Sequence, residues 1–252
     1  MDYQGLPPVD LLLSADPDLV VPELVKAVGR SPKPHAVPSP RGTSNKEPSG
    51  FTNEHIARAL RKALGERAVT YTHLPLSWDD SWLTFRHPLD YVGSDGGGGV
   101  GGGPGISVGA ALALKGSGRL PVAICGDGDF LMGVTVLWTA VHYKIPLLFV
   151  LANNRSFYND ELHQERMARA RNRPIENKWI GQRMADPEVD LAAMARAQGA
   201  AGFGPVTKAG DLPGILEKAI AAVDAGQVAA VDVRVEPGYT AAMTAAMMRG
   251  GN

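Results

Sequence analysis

Two short polar clusters each follow an apolar run of strand length. Gly126-Asp127-Gly128-Asp129 follows Leu120–Cys125, and Asn153-Asn154-Arg155-Ser156 follows Leu147–Ala152. Asp127 offers a carboxylate and Asn154 an amide oxygen, with backbone carbonyls beside them and no histidine or thiolate placed among them. Hard oxygen donors of this kind suit Mg²⁺ or Ca²⁺ rather than zinc. So few protein oxygens leave an octahedral shell incomplete, and Mg²⁺ ordinarily fills it from water and phosphate oxygens. The donor set therefore predicts a phosphorylated ligand. The flanking glycines would let backbone N–H groups approach its oxygens. Read singly, each cluster is also an ordinary turn former.

What must position the clusters is a strand–helix–strand unit. Gly133 to Tyr143 reads as the helix between the two apolar runs, and Pro146 fixes entry to the second. Such a unit makes the strands parallel and places both clusters on one sheet edge, where open α/β sheets bind ligands. Thr52 caps a predicted helix to Leu64, Arg67–Tyr71 reads as a strand, and Ile106–Leu114 as a helix. Helices are expected at Pro22–Val28, Leu191–Gln198 and Leu212–Ala225, and a last strand at Val228–Val235. Residues 73–92 read as irregular. The fold class is α/β, a doubly wound, mainly parallel sheet with helices on both faces. Five prolines between residues 31 and 50 mark that stretch as an exposed linker. The main domain is expected at 51–240, with an uncertain tail at 241–252.

The sequence GDGDF, a spacer and then Asn153-Asn154 resembles the thiamine-diphosphate signature of the acetolactate synthase and benzoylformate decarboxylase group. The likeness includes AVHYKIPLLFVLANN and GGGGVGGGPGISVGAALALKG, and runs from about Phe51 to Gly238. It implies that Asp127, the Asn154 side chain and the Ser156 carbonyl bind Mg²⁺. Gly126, Gly128, Asp129 and Phe157 would stand around the diphosphate, with the Gly128 and Asp129 amides touching it. Val100, beside Gly99, would support the bent cofactor, and the Gly98 carbonyl would hold its aminopyrimidine. Val100 is smaller than the family's usual residue there. The loop at Thr72–Pro75 departs from the family's diphosphate-contacting pattern.

The same resemblance implies thiamine diphosphate and Mg²⁺ as cofactors and a small 2-oxo acid as substrate. It implies carboligase or decarboxylase chemistry, acetolactate-synthase-like first and aryl 2-oxo acid decarboxylation second. A non-catalytic cofactor-binding module is the alternative. The group's activating glutamate belongs to a pyrimidine-binding domain that this sequence lacks. Neither Glu23 nor Glu47 sits in a matching motif, so the catalytic base is expected from another chain or domain, in an oligomer. Residues 1–30 resemble the end of a middle domain. A split subunit, a gene fragment and an inactive homologue all fit.

The bulk numbers exclude other classes. With 25 basic and 26 acidic residues, net charge is -1, which gives no footprint for nucleic acid or an anionic membrane. One cysteine, Cys125, excludes an internal disulfide framework, and the expected compartment is the cytoplasm. No strand clearly precedes the glycine run, which counts against a nicotinamide fingerprint; a linker is the other reading of that run. His142 is expected to be structural, Cys125 a buried thiol, and Trp78 and Trp82 core. His163 lies in a charged segment that reads equally as a lid or a solvated helix.

Overall fold

The structure is a computed structural model that describes residues 10–29, 50–93, 99–240 and 243–244. The chain divides into two units, Met1–Val37 and Pro38–Asn252. The first holds α1 (Pro17–Val28), which starts one turn earlier than expected because Asp16 caps it and Pro17 occupies its first turn. Most of the proline-rich stretch lies outside the described residues, as does Gly98.

The second unit is built on β1 (Val69–His73), β2 (Leu120–Gly126), β3 (Leu147–Asn153), β4 (Ala201–Val206) and β5 (Val228–Arg234). Their order is β1-β2-β3-β5-β4 and every pairing is parallel. Side chains alternate between two cores, as the period of two along a strand requires. Val122, Ile124, Leu148, Val150, Val231 and Val233 face α2 (Asn53–Leu64) and α8 (Leu212–Asp224). Ala123, Cys125, Leu147, Phe149, Leu151 and Ala230 face the opposite layer. That layer is α3 (Gly102–Ala113), α4 (Asp127–Gly133), α5 (Val136–His142) and α7 (Leu191–Ala197). The doubly wound expectation holds.

Several boundaries differ. The helix expected at Gly133–Tyr143 is α5, and a further helix, α4, precedes it, so Asp127–Phe130 of GDGDF form the first turn of α4. Acids in that turn face the positive end of the helix. α3 begins at Gly102 rather than Ile106, although glycine resists helix. A side chain from α4 compensates by capping its first amides, as described below. β1 sits two residues later than expected; Arg67, assigned to the strand, is paired with Asp224 instead. β4, with two glycines and a proline, was not anticipated. It survives as an edge strand whose register breaks between Phe203 and Val206. Trp78 and Trp82 are core, edge to face at 5.3 Å. His163 lies exposed on α6 (Tyr158–Ala170), a solvated helix. His142 is exposed too, stacked on Trp138 at 4.9 Å, and so is not the internally satisfied histidine expected.

Candidate metal and diphosphate site

The parallel register sets Gly126 opposite Ala152, so β2 and β3 end together. Asp127 then starts α4 with its carboxylate turned across to the next strand tip. Its Oδ1 accepts from Gly128 N–H at 2.8 Å and its Oδ2 from Arg155 N–H. Only 6% of Asp127 is exposed. Burial pushes its carboxyl up to about 6, against the pull of amides at Gly128, Arg155 and Ser156. No cationic side chain among the described residues pairs with it. A buried carboxylate served only by amides is where a hard cation would relieve the greatest desolvation cost.

The facing turn is pinned from several sides. Asn154 Oδ1 accepts from Ser156 N–H at 2.9 Å. Ser156 is buried, and its hydroxyl donates to Glu161, a carboxylate 1% exposed that also takes Arg183 Nε at 3.2 Å. Phe157 N–H donates to Gln182 O, and Arg155 O accepts from Met184 N–H, both at 2.9 Å. Arg155 lies in the left-handed region at φ 59°, where a residue with a Cβ is strained. A Cβ on Gly128 would fall 2.3 Å from the Phe157 ring, so the two turns interlock. The structure thus brings together Asp127, Gly128, Arg155, Ser156 and Phe157, with Asn154 within the same turn.

Asp129 does more than its amide was assigned. Its Oδ1 accepts from Gly101 N–H at 2.7 Å and Gly103 N–H at 3.3 Å, closing the start of α3. Its other oxygen lies 3.7 Å from His73 Nε2, while His73 Nδ1 contacts Ile124 O at 2.9 Å. A carbonyl only accepts, so Nδ1 carries a proton. Cys125 completes this group, in which one ligand-capable atom from each residue lies within 4.8 Å of the other two. The Cys125 thiol is fully buried and pushed well up by burial, an inert state as expected. A Cβ on Gly103 would meet Asp129 Oδ2 at 2.2 Å and His73 Nε2 at 2.7 Å, so only glycine fits there. Of the Thr72–Pro75 segment, Thr72 and His73 are the last residues of β1. Gly99 and Val100 sit just before α3; Val100 is exposed, as is Met132 on α4, whose Cβ lies against Gly101.

Sequence reading missed Glu161, the His73–Asp129 contact and Asp232. Asp232 is a fully buried acid on β5 whose Oδ1 accepts from Asn153 Nδ2 at 2.8 Å. A lone acid in the apolar run VAAVDVRV was the available signal.

Residues 77–233 match the family described as the thiamine pyrophosphate enzyme C-terminal TPP binding domain. Over 133 residues the chain is 32% identical to YdaP of Bacillus subtilis (strain 168), provisionally named a thiamine pyrophosphate-containing protein, covering 53% of this chain and 21% of that one. Over 156 residues it is 30% identical to a benzoylformate decarboxylase of Pseudomonas aeruginosa, covering 60% of this chain and 28% of the relative. A solved structure of Rhodococcus jostii RHA1 thiamine diphosphate-dependent 4-hydroxybenzoylformate decarboxylase superposes with TM-score 0.63 at 24% identity, over 83% of this chain and 36% of that one. The chain therefore spans between about a fifth and just over a third of these proteins' lengths.

Proposed function

The chain belongs to the thiamine pyrophosphate enzyme family as its C-terminal, cofactor-binding domain, and from that premise we propose that it holds Mg²⁺ and the diphosphate for decarboxylation of a 2-oxo acid. The observation that carries this reading is the buried Asp127 carboxylate, bonded across the strand tips to Arg155 N–H with no cationic partner among the described residues. Asp127, the Asn154 amide oxygen and the Ser156 carbonyl supply the hard donors, and residues 126–129 present the first turn of α4 to an anion. Bound there, thiamine diphosphate supplies the electron sink that decarboxylation requires.

This chain's residues hold and orient. Glu161 and the Gln182–Met184 backbone fix the turn after β3, and Asp129 fixes the glycine-rich start of α3 to α4. Val100 and Met132 offer exposed apolar contacts beside that start. The activating carboxylate is expected on a pyrimidine-binding domain from another chain or segment, in an oligomer. The short span of the relatives covered supports such a partner. The named decarboxylase relative supports an aryl 2-oxo acid over the acetolactate-synthase-like reading as substrate chemistry. Among the described residues no helix is long and apolar enough to cross a membrane.

Calorimetric titration with thiamine diphosphate, with and without Mg²⁺, tests the site. Binding that requires Mg²⁺ is expected; binding indifferent to chelation would refute the metal assignment. Coexpression with a pyrimidine-binding domain should then release CO₂ from benzoylformate. Robust turnover of a 2-oxo acid by the purified chain alone would overturn the need for a partner.

A further inference from the structure

Asp232 stands two residues before the end of β5 with none of its surface exposed. Burying a carboxylate inside a sheet is costly, and an apolar residue of similar volume is often the more stable choice. What Asp232 does is therefore to be sought in what it touches. Its Oδ1 accepts from Asn153 Nδ2 at 2.8 Å; its Oδ2 makes no hydrogen bond and lies 3.7 Å from Arg234 Nε. Asn153 ends β3, is 2% exposed, and lies beside Arg234 in the sheet register.

A side-chain amide has an acceptor end and a donor end, and its surroundings decide which points where. A carboxylate facing Asn153 can only accept, so it draws the NH₂ group to itself. That turns Asn153 Oδ1 to the other side, where it accepts from Arg155 N–H at 3.2 Å. The same N–H donates to Asp127 Oδ2. With the amide reversed, an NH₂ group would confront an N–H, and the Arg155 backbone would lose its second acceptor. Arg155 is the strained residue of the turn, at φ 59°, so its geometry depends on such restraints. Its side chain is tied separately, 3.4 Å from Glu188, which also holds Arg234 at 2.9 Å. Asp127, Asn153 and Arg155 moreover line one cavity of about 10 Å³, room for about one water.

We propose that Asp232 is a positioning residue for the cation-binding turn, acting through the orientation of the Asn153 amide on the Arg155 N–H. This rests on reading Asp127, Asn154 and Ser156 as the cation site, and deepens it.

The test separates stability from geometry. In Asp232→Leu the relieved desolvation of the acid should offset much of the cost of the unpaired Asn153 amide, so the fold should persist. The Arg155 amide should lose its protection, exchanging about tenfold faster while other β3 and β5 amides hold, the size expected for one lost hydrogen bond. Affinity for thiamine diphosphate with Mg²⁺ should fall by a similar factor. Asp232→Val, which likewise offers no acceptor to Asn153, should do the same if the leucine variant fails to fold. The exchanged pair, Asn153→Asp with Asp232→Asn, recreates a donor facing an acceptor and leaves an oxygen for Arg155; it should restore both readouts. An Arg155 amide unchanged in the single variants overturns the proposal, as does a loss of affinity that only follows a loss of stability. If the unaltered chain binds no thiamine diphosphate with Mg²⁺, the cofactor reading falls by itself. The Arg155 amide still decides what Asp232 does.

Discussion

The two edges of the same sheet treat their carboxylates in opposite ways. At the edge where strands begin, Asp224 is held below the ordinary carboxylate range by its hydrogen bonds to the Arg67 guanidinium, at 2.9 and 2.7 Å. Asp90 is lowered as well: partial burial pushes it up, but amides of Arg86 and His87 and the Arg119 guanidinium outweigh that. Arg119 also reaches Thr70 Oγ1 and Val69 O, stitching β1 to β2. At the edge where strands end, Asp127 is raised to about 6 and Asp232 is raised too, both by burial first. Asp90 and Asp224 at the first edge each have a guanidinium partner. At the second, Asp127 has no cationic partner among the described residues and Asp232 has only Arg234 at 3.7 Å, and beside them lie the strained Arg155 and the orphaned oxygens of Asp129 and Asp232. One edge contributes stability; at the other, the proposed cation would relieve the cost of the buried Asp127 carboxylate.

The sharpest way to break this contrast is Asp127→Ala. Removing a partner of a metal ligand typically costs about 10- to 100-fold in affinity, and removing the ligand itself should exceed that. Mg²⁺-dependent binding of thiamine diphosphate should therefore fall by more than about a hundredfold by calorimetry. The melting temperature of the metal-free chain should not drop with it. A parallel collapse of the fold would mean that Asp127 is a structural acid like Asp224.

The pH dependence of the metal-free chain carries the same contrast. Asp127 is raised in the fold above its unfolded value near 3.8. The stability it lends is thus fully present below the unfolded value and is lost as pH rises through about 6. The loss is on the order of 3 kcal/mol for this group. Urea unfolding with chelator present should show Asp127→Asn to be flatter than the unaltered chain between those limits. Saturating Mg²⁺ and thiamine diphosphate should reverse the slope, because the charged carboxylate is then the bound form. Identical profiles for both chains would show that the raised value is not felt by the fold.

Sequence reading reached the strand-end edge better than the rest for a physical reason. Asp127 and Asn154 are proposed as ligands through their donor atoms, and donor types and spacing can be read whatever the tertiary packing. Core strands β2 and β3 were legible because both faces are buried and the runs are continuously apolar. β4 was not, because its glycines and proline erase the strand signal and only the pairing with β5 holds it extended. The start of α3 was hidden likewise, since the cap that makes a run of glycines helical comes from Asp129, distant in sequence. Asp232 and Asn153 were assigned no site role because their contact spans the sheet and leaves no local pattern.

The strand-start edge gives the smallest effects and the most informative control. Arg119 and Arg67 both pair with acids there, yet they are not equivalent. Arg119 is 12% exposed and serves three acceptors, whereas Arg67 is 41% exposed and serves one carboxylate. Arg119→Ala strands Asp90 and a strand carbonyl, so it should cost about 2 kcal/mol in chemical unfolding. Arg67→Ala removes a solvent-screened pair and should cost less than about 1 kcal/mol, shrinking further in high salt. Neither should alter Mg²⁺-dependent binding of thiamine diphosphate, since both lie a strand's length from Asp127. A binding loss in Arg67→Ala without a stability loss would erase the distinction between the edges, because an exposed pair has no route to the other strand ends except through the sheet it supports.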